Sequence, residues 1–441
     1  MSVEGGTSAS RDCDVAVIGG GPAGATAAAL LAGRGLRVAL FEKSRHPRFH
    51  IGESLLPANL PLFERLGVAA EVRRIGMRKL GAEFVSPSHA HTSRLAFAEA
   101  WDKSLPYAYQ VRRSEFDEIL FRNAARSGAL AREGCRVRAL DFEGGRALLG
   151  VEGEDGGIER WRARFVVDAS GRDTFLGNRF RTKRRNRRHN SAALYAHFRN
   201  VQRRPGDFAG DITVFWFAHG WFWSIPLADG VTSVGAVVWP AYMKSRAKPL
   251  NEFFADTVAL CPGLAARLAG AERATEVEAT GNYSYACERT YGPGYILVGD
   301  AYTFIDPVFS SGVMLAMNSA FLGADAVETC LRRPAEGARA LARFDRQVRR
   351  GPREFSWFIY RVTRPAMREL FMGPRNVLRM KEALLSLLAG DVLGKSPIQA
   401  SLLAFKGLYY LMSLAHLPAT VRTWRRQRAS MREADAANAG A

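Results

Sequence analysis

The sequence predicts an α/β protein: a Rossmann-like nucleotide-binding domain, a β-rich layer inserted into it, and a largely helical C-terminal region. Three observations predict it. A short apolar run, Val15 to Ile18, ends at a glycine cluster that opens an Ala-rich segment and returns to a second apolar run, Leu36 to Phe41. Two further strand-like stretches that end in an acid, RFVVDASGR from Arg164 and YILVGDA from Tyr295, lie far downstream. Between them, from about 176 to 285, the runs LYAHFRNV, ITVFWFA, WFWSIPL and TSVGAVVW read as strands with few helix signals.

Each element follows from local chemistry. Residues 1–12 are small and polar and are expected to be disordered. The stretch DVAVIGGGPAGATAAALLAGRGLRVALFEK, Asp14 to Lys43, reads as strand, tight turn, helix, strand. Gly19, Gly21 and Gly24 fit G-x-G-x-x-G. The first permits a sharp turn, the second lets backbone approach a pyrophosphate, and the third lets helix and strand sit close. Pro22 and Ala23 open the helix, whose N-terminus offers free N–H groups to phosphate from Ala23 onward. Glu42, about 20 residues on and followed by Lys43, suits a ribose hydroxyl. That acid favours FAD or NAD over NADP.

Leu60–Leu66 is expected to be a short helix, Lys79–Val85 and Ser93–Phe97 strands, and Val111–Ser127 a helix capped by Ser114 with Phe116, Ile119, Leu120 and Ala124 on its apolar face. Val137–Phe142 and Ala147–Glu152 form a hairpin around Glu143-Gly144-Gly145. One helix, about Leu250 to Leu260, interrupts the β-rich region. The nucleotide domain is thus assembled from 13–75, 104–178 and 286–336, the β-rich domain from 76–103 and 179–285, and the helical region from 337–441. Residues 399–417 are apolar but carry Lys406 and His416, which fits a packed or interfacial helix with possible peripheral membrane contact.

Composition bounds the function. The chain has 441 residues, is 47% hydrophobic and carries a formal net charge of +19. That excess favours anionic partners. Zinc-finger spacing and RNA-binding aromatic signatures are lacking, which argues against nucleic acid. The five cysteines, Cys13, Cys135, Cys261, Cys287 and Cys330, are scattered, which points away from a metal site and towards reduced thiols in a cytoplasmic protein. The basic run Lys183–Arg188 is expected on a loop, either as a solvated surface or as a dock for an acidic acyl-carrier protein, with Arg422, Arg425, Arg426 and Arg428 a possible extension.

Taken together, GGGPAG with Glu42, VVDASGR and YILVGDAYTFIDP resemble the FAD-dependent monooxygenases of the aromatic-hydroxylase fold, over roughly residues 12 to 330. The resemblance implies FAD contacts from Arg112, Asp168, Gly299, Asp300, Pro307 and Gly312. Two more stretches narrow it. Trp221–Pro226, WFWSIP, fits W-x-W-x-I-P, and Phe304–Gly312, FIDPVFSSG, fits F-x-x-P-x-x-S-x-G. Both are similar to the signatures of flavin-dependent halogenases. In a strand, Trp221, Trp223 and Ile225 share one face and Phe222 and Ser224 the other.

What the family implies is a two-component enzyme. A separate flavin reductase supplies reduced FAD, and O₂ with chloride or bromide yields hypohalous acid. Ser311 and Gly312 amides would hold the halide. Trp221, Trp223, Ile225, Pro226, Phe304, Phe309 and Ser310 would wall the flavin and substrate pocket. Lys79, in Lys79-Leu80-Gly81-Ala82-Glu83-Phe84, fits the K-x-G-A-x-F-like strand of the halogenating lysine and is the expected catalytic residue; the competing reading is a surface lysine beside Arg78. Halogenases of free tryptophan carry a glutamate where this chain has Phe309. Together with GESLLP, Gly52–Pro57, this resembles the branch that acts on phenols, pyrroles and carrier-bound aromatics. Two alternatives stay open: an FAD hydroxylase of an aromatic or peptidyl group, and a non-catalytic flavin-binding protein that docks to a membrane or acidic partner.

Overall fold

The computed structural model describes residues 10–186, 189–281, 284–392 and 396–415, with the single positions 417, 421, 425 and 429. Strand β1 (Arg11–Ile18) leads through the glycine turn into helix α1 (Pro22–Gly33), and the chain returns as β2 (Val38–Phe41). β1 lies between β2 and Ile158–Asp168, parallel to both, and Tyr295–Leu297 extends the sheet beyond. Strands from three distant parts of the chain therefore end at one edge, where the glycine turn, Asp168 and Asp300 emerge. In open parallel sheets ligands collect at that carboxyl edge.

The glycines act as their spacing requires. Gly19 has φ +101°, and a Cβ there would sit 2.4 Å from the Ala169 carbonyl oxygen. A Cβ on Gly24 would sit 1.8 Å from the Gly19 carbonyl oxygen, so helix and turn could not pack together. Gly21 differs: the only heavy atom near its added Cβ is Arg48 Nη2, at 3.6 Å, which leaves room above its backbone. α1 is Ala-rich and buried on nearly every side because β1, Ile158–Asp168, Arg113–Arg126 and Gly312–Arg332 all contact it.

A second sheet is built from Glu272–Arg273, Ala192–Arg199, Thr232–Val238, Gly220–Pro226, Ile212–Phe217, Gly81–Val85 and Thr92–Ala96, in that order. Its strands are antiparallel except for Gly81–Val85, which runs parallel to Ile212–Phe217. Alternation in Gly220–Pro226 splits the side chains as expected: Trp221, Trp223 and Ile225 join the core shared with the C-terminal helices, and Phe222 joins the core on the opposite face. Gly235, opposite Trp223, makes this possible, since a Cβ there would lie 2.2 Å from the indole. Helices Arg350–Ile359, Pro365–Met372, Met380–Leu388 and Gln399–Ala415 pack over the first face through Phe355, Phe371, Leu384 and Phe405.

Several sequence expectations need correction. Arg11 and Asp12 are not disordered but begin β1, where Asp12 pairs with Arg162; residues 1–9 lie outside the described residues. Lys79–Val85 is split, because the chain passes at Leu80 from a two-stranded sheet, Met77–Lys79 with Ala108–Gln110, into the large second sheet. The helix at 113–126 is capped at Arg112 rather than Ser114, which is already inside it. The basic run is not a loop at its start: Lys183–Arg185 pairs with Tyr285–Cys287, and Arg184 is matched by Glu288. Arg187, Arg188, Arg422, Arg426 and Arg428 lie outside the described residues, while Arg425 is exposed. Gln399–Ala415 exposes Leu403, Leu411 and Leu414, yet among the described residues no helix is long and apolar enough to cross a membrane.

Asp168 has a structural job at the sheet edge. Its buried carboxylate accepts the Ser170 N–H at 3.0 Å and the Leu176 N–H at 2.7 Å, which closes the turn after the strand. Burial pushes its carboxyl upward, opposed by those same donors. In Asp168→Asn one amide group must turn its own N–H towards a buried donor. A loss of about 2–4 kcal/mol in unfolding free energy is expected, read from the urea midpoint of the purified variant.

Candidate active site

The large cavity opens where the carboxyl edge of the first sheet faces the tryptophan strand of the second. Its volume is about 900 Å³. Gly19, Gly21, Pro22, Ala23, Glu42 and Lys43 line one end, and Trp221, Trp223, Ile225 and Phe304 the other. Pro307, Ser310 and Gly312 border it from the start of the Gly312–Arg332 helix, and Asp300 borders it from the sheet edge.

The nucleotide end has the chemistry of a pyrophosphate and ribose site. Glu42 is buried and accepts the Gly20 N–H at 2.7 Å and the Ser44 N–H at 3.0 Å, which fixes its carboxylate at the end of β2. Arg48, unremarkable in the sequence, projects into the same space. Its Nε is buried without a hydrogen-bond partner, 3.7 Å from Glu42, and its Nη1 is 3.6 Å from Asp117. A buried donor left unmatched costs free energy unless a ligand accepts it. It lies beside Gly21, whose missing side chain leaves the space that a bound diphosphate needs. These residues fit FAD.

The arginine expected to follow the flavin is displaced by one residue. Arg112 does not reach the cavity; its guanidinium pairs with Asp229 and Glu115 at the partly exposed start of the helix. Arg113 lines the cavity instead, buried, with two bonds to Asp117 of 2.8 and 3.0 Å and a third to the Ile51 carbonyl at 3.0 Å. Burial pushes the Asp300 carboxyl up to about 6, opposed by Arg113 and Arg172. Lys43 pairs with Asp173 at the cavity mouth. Gly24, Asp168, Gly299, Ser311, Pro226 and Phe309 are not on the cavity wall. The first three set the walls behind it, and Phe309 stacks on Phe371 with ring centroids 5.9 Å apart.

Ser310 has φ +56° and throws the chain into the 21-residue helix that starts at Gly312. No helical carbonyl precedes the first-turn N–H groups, which makes the turn an anion-binding end. The Ser311 hydroxyl is buried there without a hydrogen-bond partner.

Lys79 is no surface lysine. It is 2% exposed, and its Nζ donates to Ser54 Oγ at 2.9 Å and to the Leu55 carbonyl at 3.1 Å, over the ring of Phe97. Desolvation pulls the amine from 10.5 to about 7, opposed by the charge of Asp211. Glu53 and Ser54, next to each other, both line the cavity, and Ser54 carries Lys79 behind it. Glu53 in turn accepts from His197 Nε2 at 2.9 Å, a buried pair that fastens the GESLLP stretch to the second sheet. Sequence reading missed Arg48, Glu53, Ser54, Arg113 and His197: Glu53 and His197 meet only in the fold, Ser54 meets Lys79 there, and the turn at the helix start decides that Arg113 rather than Arg112 faces the cavity. Among the described residues there is no cluster of metal-ligating side chains, and all five cysteines are free.

A dinucleotide-binding sheet edge joined to a tryptophan-walled chamber defines an FAD-dependent oxidoreductase. The chain matches the tryptophan halogenase family model over residues 14–100 and 88–364 and belongs to that family of flavin-dependent halogenases. It is 29% identical to the 1H-pyrrole-2-carbonyl-[peptidyl-carrier protein] chlorinase of Pseudomonas fluorescens over 87% of this chain and 90% of that one. It is 35% identical to the tryptophan 2-halogenase of Chondromyces crocatus over 75% of this chain and 64% of that one. The solved structure of the myxobacterial chondrochloren halogenase superposes with a TM-score of 0.76 at 35% identity, covering 88% of this chain and 92% of that one. FAD and halide are the family's cofactor and co-substrate.

Proposed function

We propose that the protein halogenates an electron-rich aromatic ring, a phenol, pyrrole or indole, free or tethered to an acyl-carrier protein, with chloride or bromide as halogen source and Lys79 as the group that guides hypohalous acid to the ring. Reduced FAD, delivered by a separate flavin reductase, supplies with O₂ the two-electron oxidation of halide. The observation that carries the reading is Lys79: a fully buried amine with no acid bonded to it, brought down to about 7 and held behind the cavity wall by Ser54. Such an amine is partly neutral near pH 7. It can donate a hydrogen bond to hypohalous acid or take up the halogen itself.

The other residues have definite tasks in this scheme. Ser311 and Gly312 would hold the halide with first-turn N–H groups, Gly312 bordering the cavity and Ser311 just behind it. Trp221, Trp223 and Ile225 exclude water and keep the oxidant from escaping. Phe309 stands where a carboxylate base would be required for a poorly activated ring. A phenol or pyrrole loses its ring proton after attack with little help, so an aromatic residue here supports those substrates. The carrier-bound form is supported by the pyrrole-carrier chlorinase among the relatives.

The test is mass spectrometry of reactions containing the protein, FAD, a flavin reductase with NADH, O₂ and bromide, with phenols, indole, pyrrole and a pyrrolyl-loaded carrier protein offered. A bromine isotope doublet in product is expected. A product that gains one oxygen independently of halide would replace this reading with a hydroxylase.

A further inference from the structure

Asp306 lies where the two signature stretches meet. It caps the turn Pro307–Phe309: its Oδ1 accepts the Val308 N–H at 3.2 Å. Its Oδ2 accepts the Ser191 hydroxyl at 3.2 Å. The Trp221 indole N–H is a third donor to the same carboxylate. One acid therefore holds the tryptophan strand, the halide turn and the segment ahead of Ala192–Arg199 at a single point.

The surroundings suit a strut. Asp306, Ser191, Trp221, His189, Tyr360 and Thr363 border a second, much smaller cavity of about 30 Å³, enough for one water. The large cavity lies on the other side of the same turn, bordered by Pro307, Ser310 and Gly312. Trp221 borders both cavities, so whatever fixes its indole fixes the wall across from the helix start. Burial pushes the Asp306 carboxyl up to about 6, and its three donors oppose that shift.

We propose that Asp306 is a positioning residue for halide use: its carboxylate fixes the 307–312 turn against the Trp221 strand and so sets the gap in which halide meets the oxidant. This rests on the reading of Ser311 and Gly312 as the halide site. The residue touches neither halide nor ring, and it acts through Trp221 and the Val308 N–H. Loosening either link widens the gap, and reduced flavin is then reoxidised by O₂ to hydrogen peroxide without halogenating anything.

Asp306→Asn keeps the shape but turns an N–H towards a donor. It is expected to bind FAD as the parent does, to raise the KM for bromide about tenfold or more, and to divert most reducing equivalents to hydrogen peroxide, with the KM for the aromatic substrate unchanged. Ser191→Ala, which removes one donor and leaves the acid, should shift the same two readouts by about two- to fivefold, and it keeps the test open if Asp306→Asn folds poorly. With Trp221→Phe, the double variant should be no worse than the more impaired single variant, since both break one link. Unchanged bromide KM and peroxide share in Asp306→Asn and Ser191→Ala, whatever happens to their melting temperatures, would overturn the proposal. Additive effects with Trp221→Phe would overturn the route through Trp221. A parent protein that makes no halogenated product would remove the underlying reading instead, and the two failures are told apart by that control.

Discussion

Lys79→Met is expected to bind FAD normally, to reoxidise reduced flavin, and to lose about 10²–10⁴-fold in halogenated product. The substitution should also make the protein more stable. Burial holds the Lys79 amine at about 7 against 10.5 in the unfolded chain. Between those values the unfolded chain binds a proton that the folded one has released, so parent stability rises with pH across the window. At about pH 6 and below both states are protonated and the cost of burying the charge is fully present. At about 1.4 kcal/mol for each pKa unit the upper bound is on the order of 5 kcal/mol, and the donors lost to Ser54 and Leu55 return about 1–2 of it. Methionine should therefore raise the urea midpoint most at about pH 6, with the gain fading from pH 7 towards pH 10. A buried structural lysine would give the stability gain without the loss of product. An active Lys79→Met protein would sink the assignment of Lys79 as the halogenating amine. If the neutral amine is the acting form, parent turnover should climb as pH rises through 7.

The parts of this site that were legible in the sequence are those whose chemistry is local. Gly19 and Gly24 are forced by backbone geometry within a few residues, and that geometry requires glycine whatever the rest of the chain does. Trp221, Trp223 and Ile225 alternate in a strand, so their shared face could be read directly. Arg112 and Arg113 show the limit. A one-residue step at a helix start turns a side chain by about 100°, and sequence alone does not fix that angle. Arg112 points to Asp229, and Arg113 takes the cavity. Asp168 shows a second limit: a strand-ending acid looks like a ligand, yet it can equally fold back on N–H groups of the following turn, as it does here on those of Ser170 and Leu176. Glu53 and His197 show a third, because they are 144 residues apart and neither means anything without the other. Burial is the same kind of non-local fact. The pattern around Lys79 singled it out as a candidate, but its desolvation comes from Phe97, Ser54 and Leu55 closing around it.

Gly21 and Gly24 should separate cofactor binding from folding, although they are only three residues apart, one capping α1 and the other in its first turn. Gly24→Val places carbon atoms where the Gly19 carbonyl oxygen already sits, 1.8 Å from the first of them, with the Ala169 side chain 3.1 Å away. Neither neighbour can yield, because one is the glycine turn and the other is the end of the central strand. α1 would have to leave the sheet, at a cost of about 3 kcal/mol or more, and the expected product is aggregated or flavin-free protein. Gly21→Ala meets no such obstacle. Gly21 has φ −74° and ψ −173°, which alanine adopts freely, and its new methyl would find only the Arg48 side chain at 3.6 Å. Fewer unfolded conformations should even add about 0.4–1 kcal/mol to the stability of the apoprotein. The methyl would instead occupy the space reserved for a pyrophosphate and hold it away from the helix N-terminus and Arg48. FAD affinity is expected to fall by about 100-fold, measured by flavin fluorescence titration against an unchanged or raised apoprotein melting temperature. If Gly21→Ala binds FAD as the parent does, the diphosphate does not lie over this turn, and the cavity must seat its cofactor elsewhere. If Gly24→Val folds and binds, the close approach of helix and strand is not what the third glycine provides.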